Sequence, residues 1–200
     1  MVGSKATSLS LDIWQTKQAR RLDEIRAAHA LVGGPARGRR HATQQINRAY
    51  AVLLAAQFQG FCATFHSECT RAILPSITPR AVQELVRTNF LFGRTLDRGN
   101  AGPGNIGQDF SRLGMQLWNE LYALDGRNRD RNRKLEELNK WRNAIAHDDF
   151  KDRATFPLGR DTILRLSKVE RWRSACNRLA FDMDRSMRSY LKQLSGQYPW

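Results

Sequence analysis

Cysteine is scarce. The three residues, Cys62, Cys69 and Cys176, are an odd number with no C-x-x-C pair, which argues against a disulfide framework and against a cysteine-rich zinc site. Cys62 and Cys69 stand seven apart on one helix face and read as small core residues. Long apolar runs are missing too. The longest aliphatic stretch, Ala51 to Ala56, has six residues, far short of the roughly 20 that a membrane-spanning helix needs. The opening residues, MVGSKATSLSLDIW, hold no apolar run of the signal-peptide kind. No membrane partner and a cytoplasmic location are therefore expected. Period-two alternation is absent and β-branched residues are sparse, so no strand is expected. Histidine is limited to His29, His41, His66 and His147. With no H-E-x-x-H and no ligand-spaced pair beside a carboxylate, neither a metal nor any other cofactor is expected. No G-x-S-x-G occurs, so nothing points to an esterase triad.

Basic charge is present in excess. Across 200 residues, 33 Lys and Arg against 19 Asp and Glu give a formal charge of +14. Arginine supplies 26 of the 33. Its planar fork of donors matches phosphate oxygens, where lysine is a point charge. The imbalance suggests a polyanionic partner, most simply nucleic acid. The chain is long enough for one domain with a substantial core and too short for two large ones.

Apolar residues recur at three and four, and this predicts an all-α bundle with a long central helix. The first helix is expected from about Ser8 to Leu31, with Leu11, Trp14, Leu22, Ile25 and Ala28 inward, and is broken between Val32 and Arg40. The second, from about Ala42 to Leu74, carries a stripe through Tyr50, Leu54, Phe58, Phe61 and Phe65. Pro75 and Pro79 end it, and a short helix from Pro79 to Phe90 follows, with Thr78 as its cap. Residues 97 to 107, DRGNAGPGNIG, read as a flexible loop; without Gly-Lys-Ser/Thr it is no phosphate loop. Three more helices are expected: Gln108 to Leu124, Arg131 to His147 and Arg160 to Leu194. In the last, Val169, Trp172, Cys176, Leu179, Met183, Met187, Tyr190 and Leu194 form a stripe suited to a core or a dimer seam. Of the five tryptophans, Trp14, Trp118, Trp141 and Trp172 read as core, and Trp200 as disordered. Residues 1–40 are read as an N-terminal helix with a basic loop, and residues 41–200 as the bundle.

The segment KWRNAIAHDDF, from Lys140 to Phe150, places Arg142, Asn143 and His147 within six residues. A helix stacks Asn143 and His147 on one face. Arg142 lies about 140° round the axis from His147; if the helix ends or distorts near Ala146, the two can converge on one anion. An imidazole moves a proton near neutral pH, and a guanidinium holds phosphate. Together they suit phosphodiester cleavage by an internal 2′-hydroxyl, a reaction that needs no metal. A structural alternative stands beside this: a histidine at a helix C-terminus is favoured by the helix dipole. Two arginine-rich stretches flank the picture: Arg127, Arg129, Arg131, Arg133 and Lys134, and Arg37, Arg39 and Arg40. Each is a candidate track for an RNA backbone or a solvated turn.

At Arg142-Asn143-Ala144-Ile145-Ala146-His147 the sequence resembles the HEPN family, whose mark is R-N-x-x-A-H. It is most similar to the RiboL-PSP-HEPN branch, over roughly residues 40 to 195. The leucine-rich lead-in LEELNKW and the long helix of residues 47–73 agree with that likeness. The resemblance implies a helical bundle that homodimerises to bring two Arg/His motifs into one cleft. It also implies a metal-independent endoribonuclease of the toxin or antiviral kind, with RNA as substrate and an antitoxin protein as a possible partner. Arg142 and His147 would be catalytic and Asn143 would orient the site. The acidic residue that the family often places on its second helix corresponds to Gln59 here, with Glu68 on the same helix. Where some members carry a modifiable Tyr two residues after the His, this chain has Asp149. The alternative implied is a non-catalytic HEPN protein that binds RNA or a protein. A basic DNA-binding module is a third reading, without a clear helix-turn-helix signature.

Overall fold

The structure, a computed structural model, describes residues 7–33, 40–151, 156 and 162–200, with Arg40 described by its backbone alone. Among these residues every regular element is helical. The first helical rod is opened by Ser8, whose Oγ accepts from the Leu11 amide at 3.1 Å. The Glu68 carboxylate takes the Leu9 and Ser10 amides at 2.8 and 2.9 Å. The orphan donors of the helix start are thus satisfied by side chains. From there α1 (Leu9–Ile13) passes through a π-helical turn (Trp14–Gln18) into α2 (Ala19–Gly33). Trp14 is buried against Phe58 and Phe61. Leu11 and Leu22 are buried and Ile25 is partly so, whereas Ala28, expected inward, is exposed.

The central element is α3 (Arg40–Ile73), 34 residues long, or about 50 Å. It packs against α1, α2, α7 and α8, so apolar residues are needed on most of its circumference. Phe58, Phe61, Phe65 and Phe110 form a chain of ring contacts. The three cysteines are free and buried, and burial pushes each thiol up from its ordinary value.

Between α3 and α7 the chain departs from expectation in three places. Thr78 caps nothing: a 3-10 turn (Arg80–Val82) precedes α4 (Gln83–Leu91), and neither has a side-chain cap. The reason is that Pro79 takes an extended conformation, so helix forms only beyond it. The glycine-rich loop is shorter than its composition implies. A 3-10 turn covers Thr95–Asp97, and Pro103 starts α5 (Pro103–Ser111) as a first-turn proline. Burial of Ile106 and Phe110 outweighs the low helix propensity of Gly104 and Gly107. The buried Asp109 carboxylate reaches back to the amides of Thr95 and Leu96 at 2.9 and 2.8 Å. The helix expected from Gln108 to Leu124 is two helices, α5 and α6 (Leu117–Leu124). Gly114 separates them with φ +83°, and a Cβ there would stand 2.7 Å from the Tyr190 hydroxyl. Only glycine meets both demands.

The two remaining helices, α7 (Asn128–His147) and α8 (Leu166–Ser195), run antiparallel, because Arg131 meets Asp182 while Lys168 meets Glu137. The α8 stripe is buried from Val169 through Met187 within the chain itself, while Tyr190 is half-buried and Leu194 is 47% exposed. Trp14, Trp141 and Trp172 are buried and Trp118 is half-buried. Trp200 is not disordered: it is 8% exposed, packed on Phe65, with its carbonyl held by Arg188 Nε at 3.0 Å. No helix of the described residues is long and apolar enough to cross a membrane.

Candidate active site at the end of α7

The C-terminal half of α7 is fixed from beneath by Trp141. Its buried ring packs on Phe156 at 4.9 Å, Phe150 at 6.0 Å and Trp172 at 6.1 Å. The helix stops at Asp148, which adopts the left-handed conformation at φ 49°. Aspartate tolerates that region better than most residues. The amides of Asp148 and Asp149 both return to the Ala144 carbonyl.

His147 is thereby placed at the very end of the helix. It is exposed, and its ring makes no hydrogen bond among the described residues. It lines a cavity of about 290 Å³ with Lys140, Asn143, Ala144, Asp149 and Phe156. Arg142 is half-buried and outside that cavity. Its Nη1 donates to Asn143 Oδ1 at 3.0 Å. The helix neither ends nor distorts before His147: α7 remains helical through it and keeps the two Cα positions about 140° apart around the axis.

Asn143 links three parts of the site. Its Oδ1 also accepts from Asn100 Nδ2 at 3.3 Å, while Asn139 Nδ2 donates to the Ala101 carbonyl at 3.0 Å. The loop 98–102 therefore rests on the motif helix. That loop is itself held by a buried group. Arg94 pairs with Asp97 at 2.8 Å and reaches the Ala63 carbonyl at 3.1 Å. His66 meets the Asp109 carbonyl through Nε2 at 2.9 Å and Arg94 through Nδ1 at 3.4 Å. Burial, assisted by the Arg94 and Arg112 charges, lowers the His66 pKa to about 4. Neutral His66, protonated on Nε2, satisfies both contacts.

Gln59 and Glu68 are both engaged elsewhere. Gln59 Nε2 donates to the Leu96 carbonyl at 2.9 Å, and Glu68 caps α1. Among the basic candidates, Arg127 pairs with Asp125, and Arg133 and Lys134 pair with Asp130. Arg129 lies over the Tyr122 ring. Arg131 is built into the fold: its Nη1 binds Asp125, Asn128 and the fully buried Asp182. Arg37 and Arg39 lie outside the described residues, as does the Arg40 side chain.

Sequence reading did not single out Asn100, Asn139 or Lys140 as part of this site. Lys140, Ala144 and His147 recur at helical spacing, so Lys140 was recoverable. Asn100 reaches the motif only through the loop closure and left no local signal. Among the described residues no group of three His, Cys, Asp or Glu side chains could hold a metal ion. No protein-family model, curated protein or solved structure matches this chain.

Proposed function

We propose that the protein is a metal-independent endoribonuclease whose active site is assembled from two copies of the chain. The observation that carries this reading is His147: an exposed imidazole without a hydrogen-bond partner, lining a cavity at the end of an R-N-x-x-A-H helix. Cleavage needs one group to take the proton of the 2′-hydroxyl as the 2′-oxygen attacks phosphorus. It needs a second to protonate the departing 5′-oxygen. One imidazole does not serve both at once. Two chains related by a two-fold axis bring two His147 rings to one phosphate, with Arg142 stabilising the charge that builds on it. Asn143 positions Arg142 through their hydrogen bond. The products are a 2′,3′-cyclic phosphate, which hydrolyses to a 3′-phosphate, and a free 5′-hydroxyl.

By resemblance the enzyme is a cytoplasmic effector of the toxin or antiviral kind, open to control by an antitoxin protein. One observation favours a second reading, a non-catalytic protein that binds RNA or a protein through the same surface. Arg142 does not line the His147 cavity and is bonded to Asn143. Incubating the protein with RNA in EDTA and identifying the new ends by mass spectrometry separates the two. Cyclic-phosphate ends that vanish in His147→Ala support the nuclease; cleavage only with added metal overturns it.

A further inference from the structure

Between the first half of α7 and the first half of α8 the surface opens into a groove of about 400 Å³. Helical spacing fills it with cations. Arg127, Arg131 and Lys134 recur at four and three along α7, and Arg171, Ser174 and Arg178 at three and four along α8. Asp130 is the one carboxylate in the wall.

Other carboxylates lie behind and hold the arginines by one edge. Asp182, fully buried, accepts from Arg131 Nη1 at 3.3 Å and Arg178 Nε at 3.2 Å. Asp125 accepts from Arg127 Nε at 3.1 Å and Arg131 Nη1 at 2.9 Å. Those bonds leave both terminal nitrogens of Arg127 and Arg178, and Nη2 of Arg131, without a hydrogen-bond partner among the described residues. Arg171 is exposed and makes neither a hydrogen bond nor an ion pair there. The site therefore holds three guanidinium forks fixed by carboxylates with outer donors free, and a fourth, Arg171, that no partner holds among the described residues. This arrangement matches the paired oxygens of a phosphate, and restraint by the carboxylates reduces the ordering cost of binding.

We infer that this groove binds the phosphodiester backbone of RNA, with the strand lying along the α7/α8 seam. The choice of RNA rests on the reading above; phosphate recognition rests on the groove. From residue 127 to 134 the wall is about 10 Å long. The groove centre is displaced from the His147 cavity by about 20 Å along α7 and about 140° around it. It is a holding surface separate from the cleavage site, so its test needs no turnover.

The probe is a fluorescein-labelled 20-mer RNA with 2′-O-methyl groups, which lacks the attacking hydroxyl. Binding is titrated at several salt concentrations. Arg127→Ala/Arg171→Ala should weaken affinity at low salt at least about tenfold and reduce the log–log salt slope by about 1.4, two phosphates at roughly 0.7 each. Arg21→Ala/Arg80→Ala, removing two exposed charges elsewhere, should stay within about threefold. Thermal melts identify any variant that fails to fold, and in that case Arg171→Glu alone replaces it. Equal binding by the groove and control variants overturns the inference, as does a wild-type protein with no affinity for the probe. Loss confined to phosphatidylserine vesicles, with RNA binding intact, overturns it in favour of a membrane surface. Loss of binding by the groove variant, in a wild type that never cleaves unmodified RNA, supports the groove and sinks only the nuclease proposal.

Discussion

Arg131 and His147 sit on the same helix, sixteen positions apart by number, in opposite situations. Around Arg131, charge is buried and answered. Asp125, Asn128 and Asp182 share one guanidinium nitrogen, and the pairing locks α7 to α8. Around His147, the ring faces a cavity and nothing accepts from it or donates to it among the described residues. Polar groups that hold a fold together are satisfied by their neighbours. A polar group left unanswered on a well-braced helix end is available to something outside the chain. The difference teaches that abundance of arginine is a poor guide to which arginine acts: the position of the carboxylates decides.

The sharpest way to break the contrast is at Arg131. Arg131→Ala leaves Asp182 buried with only Arg178 as its cation. Losing the charged hydrogen bonds of Arg131 to Asp182, Asp125 and Asn128 should cost about 1.5–3 kcal/mol or more, so chemical denaturation should show a clear loss of stability. A midpoint like that of wild type would mean that Asp182 is not held as described. The opposite end should behave inversely. His147→Ala and Arg142→Ala should each lower RNA cleavage at least about 100-fold, the range of a lost acid–base group, with melting unchanged. Native melts together with wild-type cleavage in both variants would remove these residues from the site.

A smaller effect concerns the loop that rests on the motif. His66 is neutral in the folded chain, with its pKa lowered to about 4 from 6.5 by burial. A depressed folded value means that stability is fully present above the unfolded pKa and is lost as pH falls from 6.5 toward 4. The Arg94 and Arg112 charges oppose protonation, and the Asp109 carbonyl favours it. About 2 kcal/mol should disappear between pH 7 and 4.5. The part due to His66 should be missing in His66→Gln; identical pH curves for the two proteins would rule it out. The smallest effect is expected at Arg133, whose exposed pair with Asp130 spans 3.4 Å. Exposed pairs contribute little, and Arg133→Ala should melt within about 1 °C of wild type.

What was legible in the sequence follows the same division. The α8 stripe could be read because each burial repeats at helical spacing, from Val169 to Met187. The grouping of Asn143 and His147 could be read because both lie on one helix. The break at Gly114 was hidden, because the Tyr190 hydroxyl that forbids a side chain there arrives from 76 positions away. The burial of Trp200 depends on Phe65 and Arg188, both distant in sequence. Arg131 looked like its exposed neighbours, since nothing local announces that Asp182 lies beneath it. The separation of positions 142 and 147 around the axis was foreseeable from helix geometry, but only the extent of α7 decided it.

The three buried thiols make the protein a ready platform for distance measurement. Cys62, Cys69 and Cys176 are shielded and held as thiols rather than reactive thiolates. The native chain should therefore resist maleimide and methanethiosulfonate reagents, and no background cysteine has to be removed. An exposed position beside the cavity, Ala146→Cys, then takes a spin label selectively. Pulsed electron resonance on that single label gives a dipolar signal only when two chains bring their α7 ends together. The ruler for the proposed two-copy site is thus a single added label, and the buried thiols keep the rest of the chain silent.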